Sequence, residues 1–318
     1  MKIINQDDHQ KIAKLIANLN KPAESCYLLF GPQGVGKSVL ATLASKSAKS
    51  KVLYVKAPDR MRFSKNLSRE MKKLNYMKYL LPKITVSSYY GYEETFHEFE
   101  KLAEKRWLVN HTPLLIIDDF KVDQLDLIKM IQRSAKVALQ NGSYNVMFII
   151  DDQKSLEFFM DDITLMEFIY LGDLNEDVAL SYLYDHQVDR DFAKKIYDIF
   201  GGRISDLNQV INYLDRNREN NLNDFVDMKA NLIVYKWDKL NWTNERQSKV
   251  LEFLCNHSNE PFNRNEFKKL ENDSLIDFYD KLVQKNILTT SKNMKITFES
   301  PFTKYFFKNL YRKYFNMH

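Results

Sequence analysis

The sequence is poor in glycine. Its 318 residues hold only 8, where average usage of about 7% would give roughly 22. Five of the eight fall in two short clusters, Gly31/Gly34/Gly36 and Gly201/Gly202. Glycine spent so sparingly belongs where backbone geometry admits nothing else. Cysteine is scarcer still: Cys26 and Cys255, far apart in the chain, make neither a disulfide framework nor a zinc pattern, which fits an intracellular, reducing compartment, cytoplasm or nucleus. The 6 histidines are scattered, without the paired spacing of a metal cage. No apolar run approaches the roughly 18 residues that span a bilayer. The opening MKIINQDDHQ has neither the pattern of a signal peptide nor that of a transit peptide. What is present is a globular composition, 44% hydrophobic, 13% aromatic and 28% charged, with a mild net charge of +5. It excludes wholesale disorder and collagen-like repeats and permits a polyanionic partner without requiring one. The length predicts two domains at about 150 residues each.

Up to about residue 170 the chain alternates helix and strand. Short apolar runs of strand length stand at Tyr27–Phe30, Val52–Val55, Ile84–Val86, Leu114–Ile117, Val146–Ile150 and Leu165–Leu171. Helical periods stand at His9–Leu19, Val39–Ala48, Glu93–Leu108 and Val122–Leu139. Continuous apolar strands separated by amphipathic helices predict an α/β fold, a parallel sheet with helices on both faces. After Gly172 the strand signal stops, and Glu176–Tyr184, Phe192–Phe200, Ile204–Leu214 and Phe225–Trp237 read as helices. From about Asn241, helices at Glu245–Cys255, Asn265–Leu270 and Leu275–Lys285 precede a hairpin of Leu288–Thr290 and Lys295–Phe298. Three helices and then a wing is the outline of a winged helix. The predicted domains are an α/β core over 1–172, a helical lid over 173–240 and a winged-helix domain over 241–318.

The core's function rests on Gly31-Pro32-Gln33-Gly34-Val35-Gly36-Lys37-Ser38, which satisfies G-x-x-x-x-G-K-[ST] between a strand and a helix. Glycines let successive backbone N–H groups turn inward around a phosphate, and the helix N-terminus adds its positive dipole end. Lys37 is expected on the β- and γ-phosphates and the Ser38 hydroxyl on Mg²⁺. Gly31 through Val39 are therefore the nucleotide-binding candidates. A P-loop requires an acid at a neighbouring strand end, and Leu114–Ile117 runs into Asp118-Asp119. Asp118 is the second metal candidate, through the water shell of Mg²⁺, and Asp119 the water-polarising carboxylate. No N/T-K-x-D guanine signature follows, so adenine is the expected base.

Two further positions are candidates for a catalytic part, each with a plainer alternative. Asp151 follows the strand Val146–Ile150, where a polar residue can sense the γ-phosphate; the alternative is a solvated loop acid. Arg203 follows the second glycine pair, where a lid arginine could reach a γ-phosphate; the alternative is a helix C-cap followed by a new helix.

P-loop, aspartate pair, helical lid with Gly201-Gly202-Arg203-Ile204-Ser205-Asp206-Leu207 and winged helix together resemble an AAA+ ATPase of the archaeal-type, STAND-like branch. The phrase Ile296-Thr297-Phe298-Glu299-Ser300-Pro301 also resembles the end of that branch's winged helix. The resemblance implies a five-stranded sheet of order 51432, ATP with Mg²⁺, and a conformational switch. The chain departs from the pattern twice. Asp119 stands where many such ATPases have Glu, one methylene longer, which implies slow hydrolysis. The stretch Asp152–Asp173 holds no arginine and one lysine, Lys154, which disfavours a ring motor with a trans-acting arginine finger.

Charge is uneven. Arg60 to Lys83 carries eight basic residues against Glu70, and Asp151 to Asp191 carries twelve acids against Lys154 and Arg190. The basic segment fits nucleic-acid phosphates, an acidic membrane surface, the chain's own acidic lid, or plain solvent. The presumed recognition helix, with Asp273, Asp277 and Asp280 against Lys281 and Lys285, is poorly suited to a groove of phosphates. The wing and tail from Lys292 to Arg312 and Lys313 are basic, and the tail's aromatics are expected to pack on the core rather than stack on bases. Three functions stay open: an ATP-hydrolysing switch with an unidentified protein partner, a DNA-binding ATPase of replication-initiator or transposition-regulator type, and a scaffold that keeps its nucleotide.

Overall fold

The computed structural model describes residues 3–4, 16, 26–48, 52–73, 91–105, 112–119, 125–151, 153–160, 166–216, 222–240, 244–258, 260–263, 266, 276–291 and 295–315. The expected helix His9–Leu19 (Ile16 apart), strand Ile84–Val86, short helix Asn265–Leu270 (Glu266 apart), and Lys78, Lys83, Asp273 and Lys292 lie outside the described residues. The chain divides into two compact units, one of residues 1–30 and 37–171, the other of residues 31–36 and 172–318.

The first unit is built on a parallel sheet. Its strands are β1 (Ile3–Ile4), β2 (Cys26–Phe30), β3 (Val52–Lys56), β4 (Leu114–Asp118), β5 (Asn145–Ile149) and β6 (Met166–Tyr170), in spatial order β1-β6-β2-β5-β4-β3. Counted from β2, the five long strands stand in the order 5-1-4-3-2, as expected. β1, two residues paired with Phe168 and Ile169 of β6, is too short to show a pattern in sequence. Every residue of β2, β4 and β5 is buried, because inner strands of a parallel sheet are covered on both sides. β3, at the edge, is only partly covered, its alternate residues half-buried or exposed.

The helices of this unit are α1 (Lys37–Ser47), α2 (Arg60–Lys73), α3 (Tyr92–Lys105), α4 (Leu125–Asn141) and α5 (Gln153–Met160). From β2 to β3 the chain moves across the sheet in one direction; the connections from β3 to β6 all step back in the other. Right-handed crossovers therefore set α1 on one face and α2 to α5 on the opposite one. α5 is a helix that the sequence reading did not separate from its surroundings.

The second unit is helical, with a small hairpin. α6 (Glu176–Asp185), α7 (Arg190–Phe200), α8 (Ile204–Arg216) and α9 (Leu222–Asp238) are followed by α10 (Asn244–Asn256) and α11 (Ile276–Gln284). β7 (Leu288–Thr290) and β8 (Ile296–Phe298) pair antiparallel, and the tail is α12 (Pro301–Tyr305), a π-helical turn (Phe306–Leu310) and α13 (Tyr311–Phe315). Asn175 and Asp189 cap α6 and α7 with side-chain bonds to the backbone N–H of Val178 and Phe192. One continuous apolar core runs from Leu174 through Trp237 to Phe307. Phe302 stacks on Phe200 at 5.0 Å between centroids, and Phe307 packs on Trp237 at 5.8 Å. The tail's aromatics are thus core material, as their spacing predicted.

Candidate functional site

In the first unit the site grows from the ends of β2, β4 and β5. α1 begins at Lys37, whose side chain is 2% exposed, and its Nζ lies 2.7 Å from Asp151 Oδ1. Asp151 is held there because the β2–β5 pairing runs on to Ile150, whose N–H donates to Leu29 O at 3.0 Å. Neither a γ-phosphate sensor nor a solvated loop acid, the two roles its sequence position suggests for Asp151, anticipates this pairing with Lys37.

Asp118, at the end of β4, is 2% exposed. Its Oδ1 accepts from the Asp119 N–H at 2.8 Å, and its Oδ2 accepts a short hydrogen bond from the Tyr54 hydroxyl. Tyr54 stands on β3, directly opposite Ile116 of β4, and its hydroxyl also meets the side chains of Ser38 and Thr42. Burial, and then the Asp118 carboxylate, push the Tyr54 phenol well above its ordinary range. It therefore stays protonated and donates to Asp118. Ser38 and Asp118, the two metal candidates, meet around this one hydroxyl. An alcohol oxygen and a carboxylate form an all-oxygen set, which fits Mg²⁺, a cation that takes one or two carboxylates along with substrate phosphates. A cluster of three or more His, Cys, Asp or Glu is absent among the described residues, and such a site needs none. Asp119 takes a left-handed backbone, φ 60°, which an aspartate tolerates better than most residues and which turns its side chain out of the strand's alternation. Tyr54 was missed in sequence: nothing in an apolar β3 run marks one hydroxyl as aimed at a neighbouring strand's carboxylate.

The remainder of the loop, Gly31–Gly36, belongs to the second unit. Gly34 has φ +83°, and a Cβ there would lie 2.2 Å from Ser205 Oγ, so this position needs glycine twice over, for its backbone and for its neighbour. The Gly34 carbonyl accepts from the Ser205 N–H at 3.1 Å. The Gln33 carbonyl accepts from Arg203 Nη1 at 2.7 Å, and the Gln33 N–H donates to Glu299 Oε1 at 3.1 Å.

Arg203 is the hub of this arrangement. It is 3% exposed, pairs with the Asp173 carboxylate through Nε and Nη2, and donates from Nη2 to Glu299 O at 2.7 Å. Gly201 caps α7 with φ 61°. Asp173 carries no signal in the sequence, and Glu299 only its place in the phrase Ile296–Pro301; one follows the last core strand and the other the hairpin, and only folding brings both to Arg203. Beside them opens a cleft of about 580 Å³, lined in part by Gln33, Lys229, Tyr235 and Lys236. Burial holds the Lys236 ammonium below its usual range.

Arg203→Lys is expected to lower the stability of the second unit by about 2 kcal/mol. One ammonium cannot span a carboxylate and two carbonyls that a planar fork reaches together. Urea unfolding followed by far-UV circular dichroism checks this, and an unchanged midpoint would mean that the fork is dispensable.

No helix among the described residues is long and apolar enough to cross a membrane. No protein-family model matches the chain, and no curated protein does. Among solved structures the chain is similar to Cdc6p from Pyrobaculum aerophilum, with 14% sequence identity, a TM-score of 0.45 and coverage of 92% of this chain and 89% of that one.

Proposed function

We propose that the chain is an ATP-binding and slowly hydrolysing switch of the AAA+ class, with its nucleotide state coupled to the lid and the winged helix. The observation that carries this reading is the buried ammonium of Lys37 at the head of α1, with Ser38 and Asp118 gathered around one hydroxyl. A strand, a glycine-rich turn and a helix N-terminus supply backbone donors and a dipole for phosphates. Ser38 and Asp118 would hold Mg²⁺, which when bound neutralises charge on the phosphates. Asp119 follows Asp118 at the strand end, in the position of a carboxylate that orients water and takes its proton. Arg203 acts on the loop itself in this reading, through the Gln33 carbonyl, so a nucleotide that reshapes the loop is felt at α7 and α8. Glu299 extends the same connection to the hairpin, the wing of the proposed winged helix.

The test is phosphate release. Asp119→Ala is expected to lower it by about a hundredfold with ATP binding kept, since a positioned general base contributes about 10²–10⁴. Release at the wild-type rate would leave the nucleotide a structural role only.

One observation favours a second reading, a DNA-binding ATPase of replication-initiator type. α2 buries Phe63, Leu67 and Met71 and turns Arg60, Arg62, Lys65, Arg69 and Lys72 to solvent. Asp126 and Asp59 pair Arg60 and Arg62 at 2.8 and 3.3 Å, which leaves less charge for phosphates. Unchanged mobility of duplex DNA at low salt with micromolar protein removes this reading.

A further inference from the structure

One ammonium at the head of α1 has two claimants, a carboxylate of the chain and the phosphates of the proposed nucleotide. Lys37 Nζ sits 2.7 Å from Asp151 Oδ1, with the lysine side chain 2% exposed and the aspartate 52% exposed. The lysine cannot turn away into water, so the partner that gains it must meet it in place. A phosphate oxygen bonded to Lys37 Nζ at about 2.8 Å lies no more than about 5.5 Å from Asp151 Oδ1, the sum of the two distances. Beside a buried group, charges at that separation interact several-fold more strongly than in bulk water.

The chemistry of the side chain decides the sign. An ionised carboxylate accepts hydrogen bonds and donates none. Asp151 therefore cannot hold a γ-phosphate oxygen as an amide or hydroxyl at the end of this strand could; it can only repel one. A diphosphate brings one charged group fewer to the Lys37–Asp151 pair than a triphosphate does. A triphosphate adds a further charged group on the side of the lysine, because a P-loop lysine spans the β- and γ-phosphates.

We propose that Asp151 is a specificity-determining residue that biases the site toward a nucleoside diphosphate, by sharing the Lys37 ammonium and by repelling the γ-phosphate. This inference rests on the P-loop reading above. Triphosphate binding is then the step that must displace the Lys37–Asp151 pair.

The experiment is isothermal titration calorimetry of the full chain with ADP and with the slowly hydrolysed triphosphate AMP-PNP, in the same magnesium buffer and salt. Asp151→Asn keeps the shape and removes the charge. It is expected to tighten AMP-PNP relative to ADP by about tenfold, or 1.4 kcal/mol. Equal tightening of both ligands would overturn the proposal, because Asp151 would then only occupy Lys37 while the loop is empty. Wild-type protein that binds neither nucleotide would overturn the P-loop reading, and this inference with it. Wild-type protein that binds both, with no change of ratio in the variant, would sink the discrimination alone. Circular dichroism checks that Asp151→Asn folds; if it does not, Asp151→Ser carries the same comparison without the charge.

Discussion

Gly202→Ala is expected to destabilise the second unit by about 3 kcal/mol or more, at the upper end of what overpacking costs. A Cβ at this position would stand 1.8 Å from the Leu174 carbonyl oxygen and 2.8 Å from its nitrogen. Both obstacles are backbone, so no side-chain rotation relieves them. The approach is fixed from the other side as well, by the Leu174 N–H donating to Gly202 O at 2.9 Å. Separating the strands of chain enough to admit a methyl group would break that bond and shift Arg203, the next residue, off Asp173 and Gln33. The urea midpoint read by far-UV circular dichroism checks the expectation. A midpoint unchanged within error would mean that the chain passes Leu174 less closely than this.

Lys37→Ala is expected to weaken ATP binding by about a hundredfold or more, the equivalent of about 2.7 kcal/mol. The loss follows from burial: at 2% exposure the ammonium meets phosphate with little competition from water, and truncating one partner of such a charge pair costs roughly 2–5 kcal/mol in comparable interfaces. The variant also removes the ammonium that pairs with Asp151, so the triphosphate should suffer more than the diphosphate. Calorimetry with both nucleotides measures the effect, and circular dichroism reports whether the fold is kept. Undiminished ATP binding by a folded Lys37→Ala protein would remove the P-loop from the account.

Much of the architecture is written locally. β2, β4 and β5 are continuous apolar runs because their sheet is covered on both faces, and that pattern survives in the bare sequence. The joint at Gly201 is equally legible, because a helix that must end in a left-handed residue selects glycine. α5 and β1 were not legible, the one for its brevity among flanking acids, the other because two residues carry no period. The tail's phenylalanines announced packing by their spacing, although not that Phe302 would find Phe200 or that Phe307 would find Trp237.

The glycine shortage that marks this sequence thus has two explanations at two scales. By itself the sequence determined the strand, the loop and the helix around Lys37, the acid at the end of β4, and the order of helices after residue 172. These follow from backbone geometry and from periodic burial, which act between near neighbours. Only the tertiary structure decided that Tyr54 donates to Asp118, that Asp151 takes Lys37, that Arg203 grips Gln33 beside Asp173 and Glu299, and that Gly202 must admit the Leu174 backbone. Each of these pairs joins segments far apart in the chain. Their meeting depends on strand order and on which charges the core leaves no water to satisfy, and neither is recorded in any local pattern of residues.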